Sequence, residues 1–283
     1  MTADLNLVLQ APAIGGADLA AIATLTDAQG IHALSDGAHQ AFRLARVRTR
    51  AGVAELCAAA GIDWALVPSD LARNRVRVVA IDMDSTLITI ECIDEIADMV
   101  GVKPEVAAIT ASAMRGEIDF GESLVRRVAL LAGLEIGALE RVYVERLALT
   151  PGAERMLAGF KAAGARTLLV SGGFSYFTDR LKARLAFDET ESNTLEITDG
   201  RLTGRVVPPI ADARAKAAAL AMMRARHATD GGIVVAIGDG ANDLPMLKAA
   251  DVSIAYRAKP LVRAQSTYAI DRCGLDAVLN LFA

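Results

Sequence analysis

Short apolar runs recur along the chain, and the period at which they alternate with polar residues changes with position. Up to Pro68 the alternation predicts strands over residues 5–9, 31–34, 40–47 and 64–67 and helices over 17–29 and 51–60. The order is strand, helix, strand, strand, helix, strand. A linker, 68–74, follows. Three later runs, 76–81, 167–170 and 233–237, are almost continuously apolar, as parallel strands covered on both faces must be. Between the first two, residues 91 to about 149 are helical in pattern, punctuated at Pro104, Gly116, Gly133 and Gly137. A further helix is predicted over 211–226, and alternation around Asp199-Gly200 within 195–207 predicts a β-hairpin flap. The chain reads as an α/β protein. A doubly wound parallel sheet carries a helical insertion and is preceded by a small α+β domain.

Composition narrows this picture. A length of 283 residues allows two units and a large core. The formal net charge of −4, with no Lys/Arg cluster, gives no electrostatic case for nucleic acid. The three cysteines, Cys57, Cys92 and Cys273, are odd in number and widely spaced. Neither a disulfide framework nor a zinc site is indicated, and buried thiols of a reducing compartment are expected. Residues 1–5 lack the basic and apolar regions of a signal peptide, and no apolar run approaches the ~20 residues that span a bilayer. A cytoplasmic location is the expectation.

Chemistry concentrates where the apolar runs stop. The first runs into Asp82-Met83-Asp84-Ser85-Thr86, placing two carboxylates two residues apart at a strand end, where α/β sheets bind ligands. One carboxylate there can attack phosphorus while the other moves protons. The second run ends in Ser171-Gly172-Gly173, a hydroxyl followed by glycines that let backbone N–H groups approach an anion. Lys216, near the start of the predicted 211–226 helix, is a cation within reach of phosphate oxygens. The third run closes with Gly238-Asp239-Gly240-Ala241-Asn242-Asp243, whose Asp239 and Asp243 offer the hard oxygen ligands Mg²⁺ prefers. Each motif alone is an ordinary turn or solvated face. Their shared order, each after a strand or on the following helix, makes coincidence a poor account.

From about Arg75 onward this set resembles the haloacid dehalogenase-like phosphatases, and within them the phosphoserine phosphatases. The resemblance extends to the segment from Glu91 to Ala97 and to the helical stretch from Ala113 to Val128. It implies that Glu91 holds the ammonium of O-phosphoserine and Arg127 its carboxylate, with Met114 and Phe120 closing over the substrate. On residue chemistry alone, Glu91 is a first-turn helix charge, Arg126 is as available as Arg127, and Met114 and Phe120 are core residues. A zwitterion does need an anion for its amine and a bidentate cation for its carboxylate, which arginine supplies better than lysine. Residues 1–68, in ferredoxin-like order, resemble the ACT-type domain that precedes some members. That implies a possible homodimer through this segment, with 75–283 forming the phosphatase domain and 91–149 its cap.

The resemblance also implies a mechanism. Mg²⁺ is held by the Asp82 carboxylate, the Asp84 backbone carbonyl and Asp239. Asp82 is the nucleophile and Asp84 the general acid and base. Ser171, Gly172 and Lys216 grip the phosphoryl group, Asn242 orients substrate, and Asp243 supports the metal shell from behind. The remaining alternatives are a phosphatase for another small metabolite, a receiver-type domain that keeps its phospho-aspartate, and an amino-acid-sensing binding module.

Overall fold

Residues 4–34 and 38–283 are described by a computed structural model; the leader-peptide reading of residues 1–5 falls mostly outside them. Strands β1 (Leu5–Ala11), β2 (Gly30–Ala33), β3 (Gln40–Ala45) and β4 (Asp63–Pro68) form an antiparallel sheet ordered β2-β3-β1-β4. With helices α1 (Gly16–Leu25) and α2 (Val53–Ala60), this is the ferredoxin-like arrangement. Alternation along β1 serves two partners. Leu7 and Leu9 pack with Ile22, Val53 and Cys57, whereas Val8 joins Ala65, Val67, Tyr268 and Leu279 in the main core. Helix α1 stops at Leu25 rather than running to Gln29. Asp27 turns the chain at φ 47°, and the Thr26 hydroxyl donates to the Ile22 carbonyl at 2.8 Å.

The second sheet holds β5 (Val76–Asp82), β6 (Arg166–Phe174), β7 (Glu189–Thr198), β8 (Arg201–Val207), β9 (Ile233–Gly238), β10 (Val252–Tyr256) and β11 (Tyr268–Ile270). Its order is β11-β10-β9-β5-β6-β7-β8, parallel except for β8. The cap between β5 and β6 comprises α3 (Cys92–Met99), α4 (Lys103–Met114), α5 (Phe120–Ala129) and α6 (Gly137–Arg141). Later helices are α7 (Ala153–Ala162), α8 (Ser175–Leu185), α9 (Ala213–His227), α10 (Leu244–Ala249) and α11 (Pro260–Gln265). Side chains of β5 alternate between two helical layers. Val78 and Ala80 meet Leu220 and Met223 of α9 and Met246 of α10, while Val79 and Ile81 share a core with Met156 and Phe160 of α7 and Phe177 of α8. Both faces are dry, which explains the almost unbroken apolar runs. Because β5 lies between β9 and β6, the order in which strands are added reverses there. The crevice at their carboxyl ends is where this architecture binds ligands.

Two predicted details differ. Pro104 does not break a helix but sits in the first turn of α4, where its missing N–H is harmless, and the break lies before it at Gly101, φ 76°. The hairpin is not a free flap, because β7 begins at Glu189 as the parallel neighbour of β6 and the hairpin is the edge of the main sheet. It also ties down the base of the cap. Gly133 N–H donates to the Leu202 carbonyl at 2.8 Å, Leu202 N–H to the Leu134 carbonyl at 2.8 Å, and Arg201 pairs with Glu135 at 2.6 Å.

Candidate active site

β5 delivers Asp82 to the crevice almost fully buried, and the chain then turns sharply, with Ser85 in the left-handed region at φ 57°. That turn aims Asp84 back across the sheet. Its Oδ1 accepts the Cys92 N–H at the start of α3 at 2.8 Å, and its Oδ2 accepts the Ser171 hydroxyl at 3.1 Å. The Ser171 Oγ in turn accepts the Gly173 N–H at 2.8 Å. Glycine is required here by close approach. A Cβ at Gly173 would lie 2.8 Å from Asp84 Oδ2, and one at Gly172 would lie 3.0 Å from Cζ of Phe120 in the cap.

Asp212 caps α9, accepting from the Arg214 and Ala215 N–H groups at 2.8 and 3.0 Å, and so fixes the first turn that carries Lys216. The Lys216 ammonium is buried and donates to Asp82 Oδ1 at 2.5 Å and Asp243 Oδ1 at 2.8 Å. Asp243 Oδ2 accepts the Asp239 and Gly240 N–H groups at 3.2 and 3.0 Å, bracing the loop after β9. Asp239 Oδ1 accepts the Thr86 hydroxyl at 3.0 Å. Carboxylate oxygens of Asp82, Asp239 and Asp243 all lie within 4.8 Å of one another. Asp243 therefore stands among the converging oxygens as well as behind them. The Asp84 carboxylate is turned to Ser171 and Cys92 instead, which leaves only its backbone carbonyl for a metal.

The electrostatics are those of a site short of positive charge. Burial, and then the charge of Asp243, push the Asp82 carboxyl well above the usual range, against the pull of Lys216. Burial raises Asp84 despite its hydrogen bonds, and burial followed by Asp243 raises Asp239. Burial alone would lower Lys216, but Asp82 and Asp243 outweigh it and the ammonium is held charged. One cation facing three clustered carboxylates is the environment a small divalent ion neutralises, and the hard oxygen donors suit Mg²⁺.

Above this floor opens a cavity of about 470 Å³. Asp82, Asp84, Asp239, Gly172 and Asn242 line it from the core, and Glu91, Met114, Phe120 and Arg127 from the cap side. Ser171 and Lys216 lie beneath its wall, engaged with the carboxylates. Glu91 Oε1 accepts the Ser85 hydroxyl at 2.6 Å, and burial together with the nearby Asp84 charge raises its pKa to about 7. The choice left open by residue chemistry is decided by geometry. Arg126 pairs with Glu122 on the outer face of α5, whereas Arg127 faces the cavity. Arg127 donates Nε to the Ser123 carbonyl at 3.3 Å and has no carboxylate within ion-pair distance among the described residues. Burial lowers its pKa, with Asp94, Glu91 and Asp84 opposing.

Several site residues escape sequence reasoning. Asn193 on β7 donates to the carbonyl of Gly172 at 2.9 Å and accepts the Ala211 N–H at 2.8 Å, locking two loops together. Asp94 and Lys259 line the cavity, and Ser85 holds Glu91. Ser85 and Asp94 lie inside segments the sequence singles out, but without a role of their own, and Asn193 and Lys259 stand in no distinctive local pattern. Cys92 is buried, and its thiol pKa is pushed well above the ordinary value by burial and by Asp84, so it is an inert neighbour.

Residues 79–248 match the family model of the haloacid dehalogenase-like hydrolases. The chain belongs to this family. Residues 7–53 match a second model, described as a domain of unknown function, DUF4072. Among curated relatives, the phosphoserine phosphatase of Polaromonas sp. is 51% identical over 217 residues, 75% of this chain and 92% of the relative. The structure of a probable phosphoserine phosphatase from Vibrio cholerae superposes with a TM-score of 0.85 at 35% identity, covering 98% of this chain and 85% of that one. A substrate-bound phosphoserine phosphatase complex gives a TM-score of 0.67 at 36% identity, over 74% of this chain and 99% of its own. For a haloacid dehalogenase-like hydrolase, the sheet, the capped crevice and the converging carboxylates form one coherent site. No helix among the described residues is long and apolar enough to cross a membrane.

Proposed function

We propose that this chain is a phosphoserine phosphatase, hydrolysing O-phospho-L-serine to L-serine and inorganic phosphate as the last step of serine biosynthesis. The observation that carries this reading is the placement of Glu91 and Arg127 in one cavity with Asp82 and Asp84. A carboxylate and a guanidinium without an ion-pair partner match the ammonium and carboxylate of an amino acid, while the floor matches its phosphate. The names of the relatives support the same substrate.

Phosphate-monoester hydrolysis needs up to ~10²¹-fold acceleration, and the approach of two anions is the first obstacle. Lys216 holds Asp82 Oδ1, leaving Oδ2 to attack phosphorus as the bond to the serine oxygen breaks. Asp84, whose carboxyl burial raises above its ordinary value, is placed to give a proton to the departing oxygen. It then takes one from the water that attacks phosphorus and frees Asp82. Ser171 Oγ lies beside Asp84, where together with the Gly172 N–H at the cavity wall it can hold phosphoryl oxygens. Met114 and Phe120 exclude water above, and Asn242 orients the substrate from the loop after β9. The Asp82 and Asp239 carboxylates, with the Asp84 carbonyl and Asp243 adjacent, would hold Mg²⁺, which when bound would add charge neutralisation to that of Lys216.

Residues 1–68 we assign to an ACT-like domain and 75–283 to the phosphatase domain, with the cap over about 91–149. A homodimer through the first would use edge strand β2, whose Ile31 is exposed. Three buried, unpaired cysteines fit a cytoplasmic protein.

The test is phosphate release from L-phosphoserine and from a panel of sugar, nucleotide and other amino-acid phosphates, with Mg²⁺ and with EDTA. A strong Mg²⁺-dependent preference for L-phosphoserine is expected. Activity led by another phosphate would discard the substrate while keeping the catalytic residues.

A further inference from the structure

The cavity is an unwelcoming place for an anion. Its lining carries the carboxylates of Asp82, Asp84, Glu91, Asp94 and Asp239 against two cations, Arg127 and Lys259. The Lys216 ammonium is spent on Asp82 and Asp243 below the floor. Arg127 lies deep against Ser123 on the cap side. Lys259 differs from both. It is solvent-exposed, and it stands where β10 gives way to α11. Its backbone N–H donates to the Asp239 carbonyl at 3.2 Å, so its base is tied to the catalytic loop. Its ammonium reaches across the mouth to within 3.8 Å of the Met114 sulfur at the end of α4, and no carboxylate pairs with it among the described residues.

From this geometry we infer that Lys259 captures the phosphate dianion at the cavity mouth, drawing it past the carboxylate lining and toward the floor. The inference rests on reading the cavity as a phosphomonoester site. A thioether offers the ammonium only a weak acceptor, so an incoming phosphate displaces Met114 at little cost. Leaving Met114, itself largely exposed, frees the core–cap contact as substrate enters. Lys259 thus positions and admits the substrate, with no part in bond breaking. A cation at the mouth of a cleft raises encounter rates in a way salt suppresses, since screening acts over about 10 Å at 0.1 M.

The experiment compares wild type with K259M, which keeps the stem and removes the charge, and with K259R. Steady-state kinetics on L-phosphoserine and p-nitrophenyl phosphate are run from low to high ionic strength with Mg²⁺ present. K259M is expected to lose about 5–10-fold in kcat/KM at low salt, with kcat within about twofold and a shallower salt dependence than wild type. K259R is expected to recover most of the loss. Because the charge read is that of phosphate, the loss appears with both substrates. Active wild type with K259M unchanged, or with a loss confined to kcat, or with an unaltered salt slope, would overturn the role of Lys259 alone. Wild type inactive on every phosphate ester would overturn the site reading and this inference with it.

Discussion

Lys216 Nζ lies 2.5 Å from Asp82 Oδ1 and 2.8 Å from Asp243 Oδ1, so one buried ammonium ties the end of β5 to the loop after β9. Removing it leaves two buried carboxylates facing each other. Lys216→Met should therefore cost about 3–5 kcal/mol of stability at neutral pH, the usual cost of breaking a buried pair on one side. Burial holds the Asp82 carboxyl above the ordinary range, so acidification relieves this repulsion and the deficit should shrink as pH falls. Urea unfolding of both proteins across pH checks the sign, and a deficit independent of pH would show that packing, not charge, is lost.

Asp82 and Asp84 sit in one turn but face different partners, and the same conservative change should separate them. Asp82→Asn removes the proposed nucleophile and should abolish measurable turnover. Asp84→Asn keeps it and should cost roughly 10²–10⁴-fold in kcat, the worth of general acid–base help. Single-turnover assays with rapid acid quench would look for a phosphorylated protein in wild type and its absence in Asp82→Asn. Near-normal turnover by Asp82→Asn would end the covalent mechanism.

What the sequence reveals, and what it hides, follows from where the information lies. The strands that carry Asp82, Ser171 and Gly238 are legible because burial on both faces forces apolar runs, and the chemistry follows where those runs stop. Glu91 and Arg127 are legible only through resemblance, since nothing in helical periodicity distinguishes Arg127 from Arg126 until α5 is packed against the cavity. Asn193 and Lys259 act across 21 and 20 residues of chain from the loops they touch, Gly172 and Asp239, and local pattern carries no trace of such pairings. The hairpin at Asp199-Gly200 is readable as a turn, but its place at the sheet edge is set by the pairing of β7 with β6, a tertiary fact.

Arg127 faces the cavity with its guanidinium unpaired among the described residues. If it receives a substrate carboxylate, Arg127→Ala should lower kcat/KM for L-phosphoserine by about 10²-fold and leave p-nitrophenyl phosphate nearly unaffected. Arg127→Lys should recover little, because one ammonium cannot reproduce a bidentate pair. Equal losses on both substrates would remove the carboxylate-binding role.

Glu91 offers a pH signature. Its carboxyl is raised to about 7 by burial and by the Asp84 charge, above the 4.5 of a free side chain. The folded state therefore holds this proton across a window in which the unfolded chain has released it. Its contribution to stability is present in full below about pH 4.5 and is lost as pH rises toward 7. In metal-free protein, Glu91→Gln should gain stability relative to wild type over that window and no further above it. Contact with solvent at the cavity mouth keeps the gain small. Parallel thermal-melt curves for the two proteins between pH 5 and 8 would refute it.

Asp63, at the start of β4, joins the small sheet to the C-terminal segment. Its Oδ2 accepts backbone N–H groups of Asp271, Arg272 and Cys273 at 3.1, 2.8 and 3.4 Å, and the carboxylate is buried. Around it, Arg43 donates to the Asn280 carbonyl at 3.0 Å and Asn280 Nδ2 to Gln10 at 3.1 Å. Asp63→Ala would strand those N–H groups without an acceptor, a loss of about 2–3 kcal/mol for hydrogen bonds to a charged group. Asp63→Asn retains one acceptor oxygen and should lose less. If the junction merely docks the small sheet, hydrogen exchange should quicken at residues 270–273 and along β4 while the loop after β9 stays protected. Quickening at Asp239–Asp243 as well would mean that the junction also supports the catalytic loop.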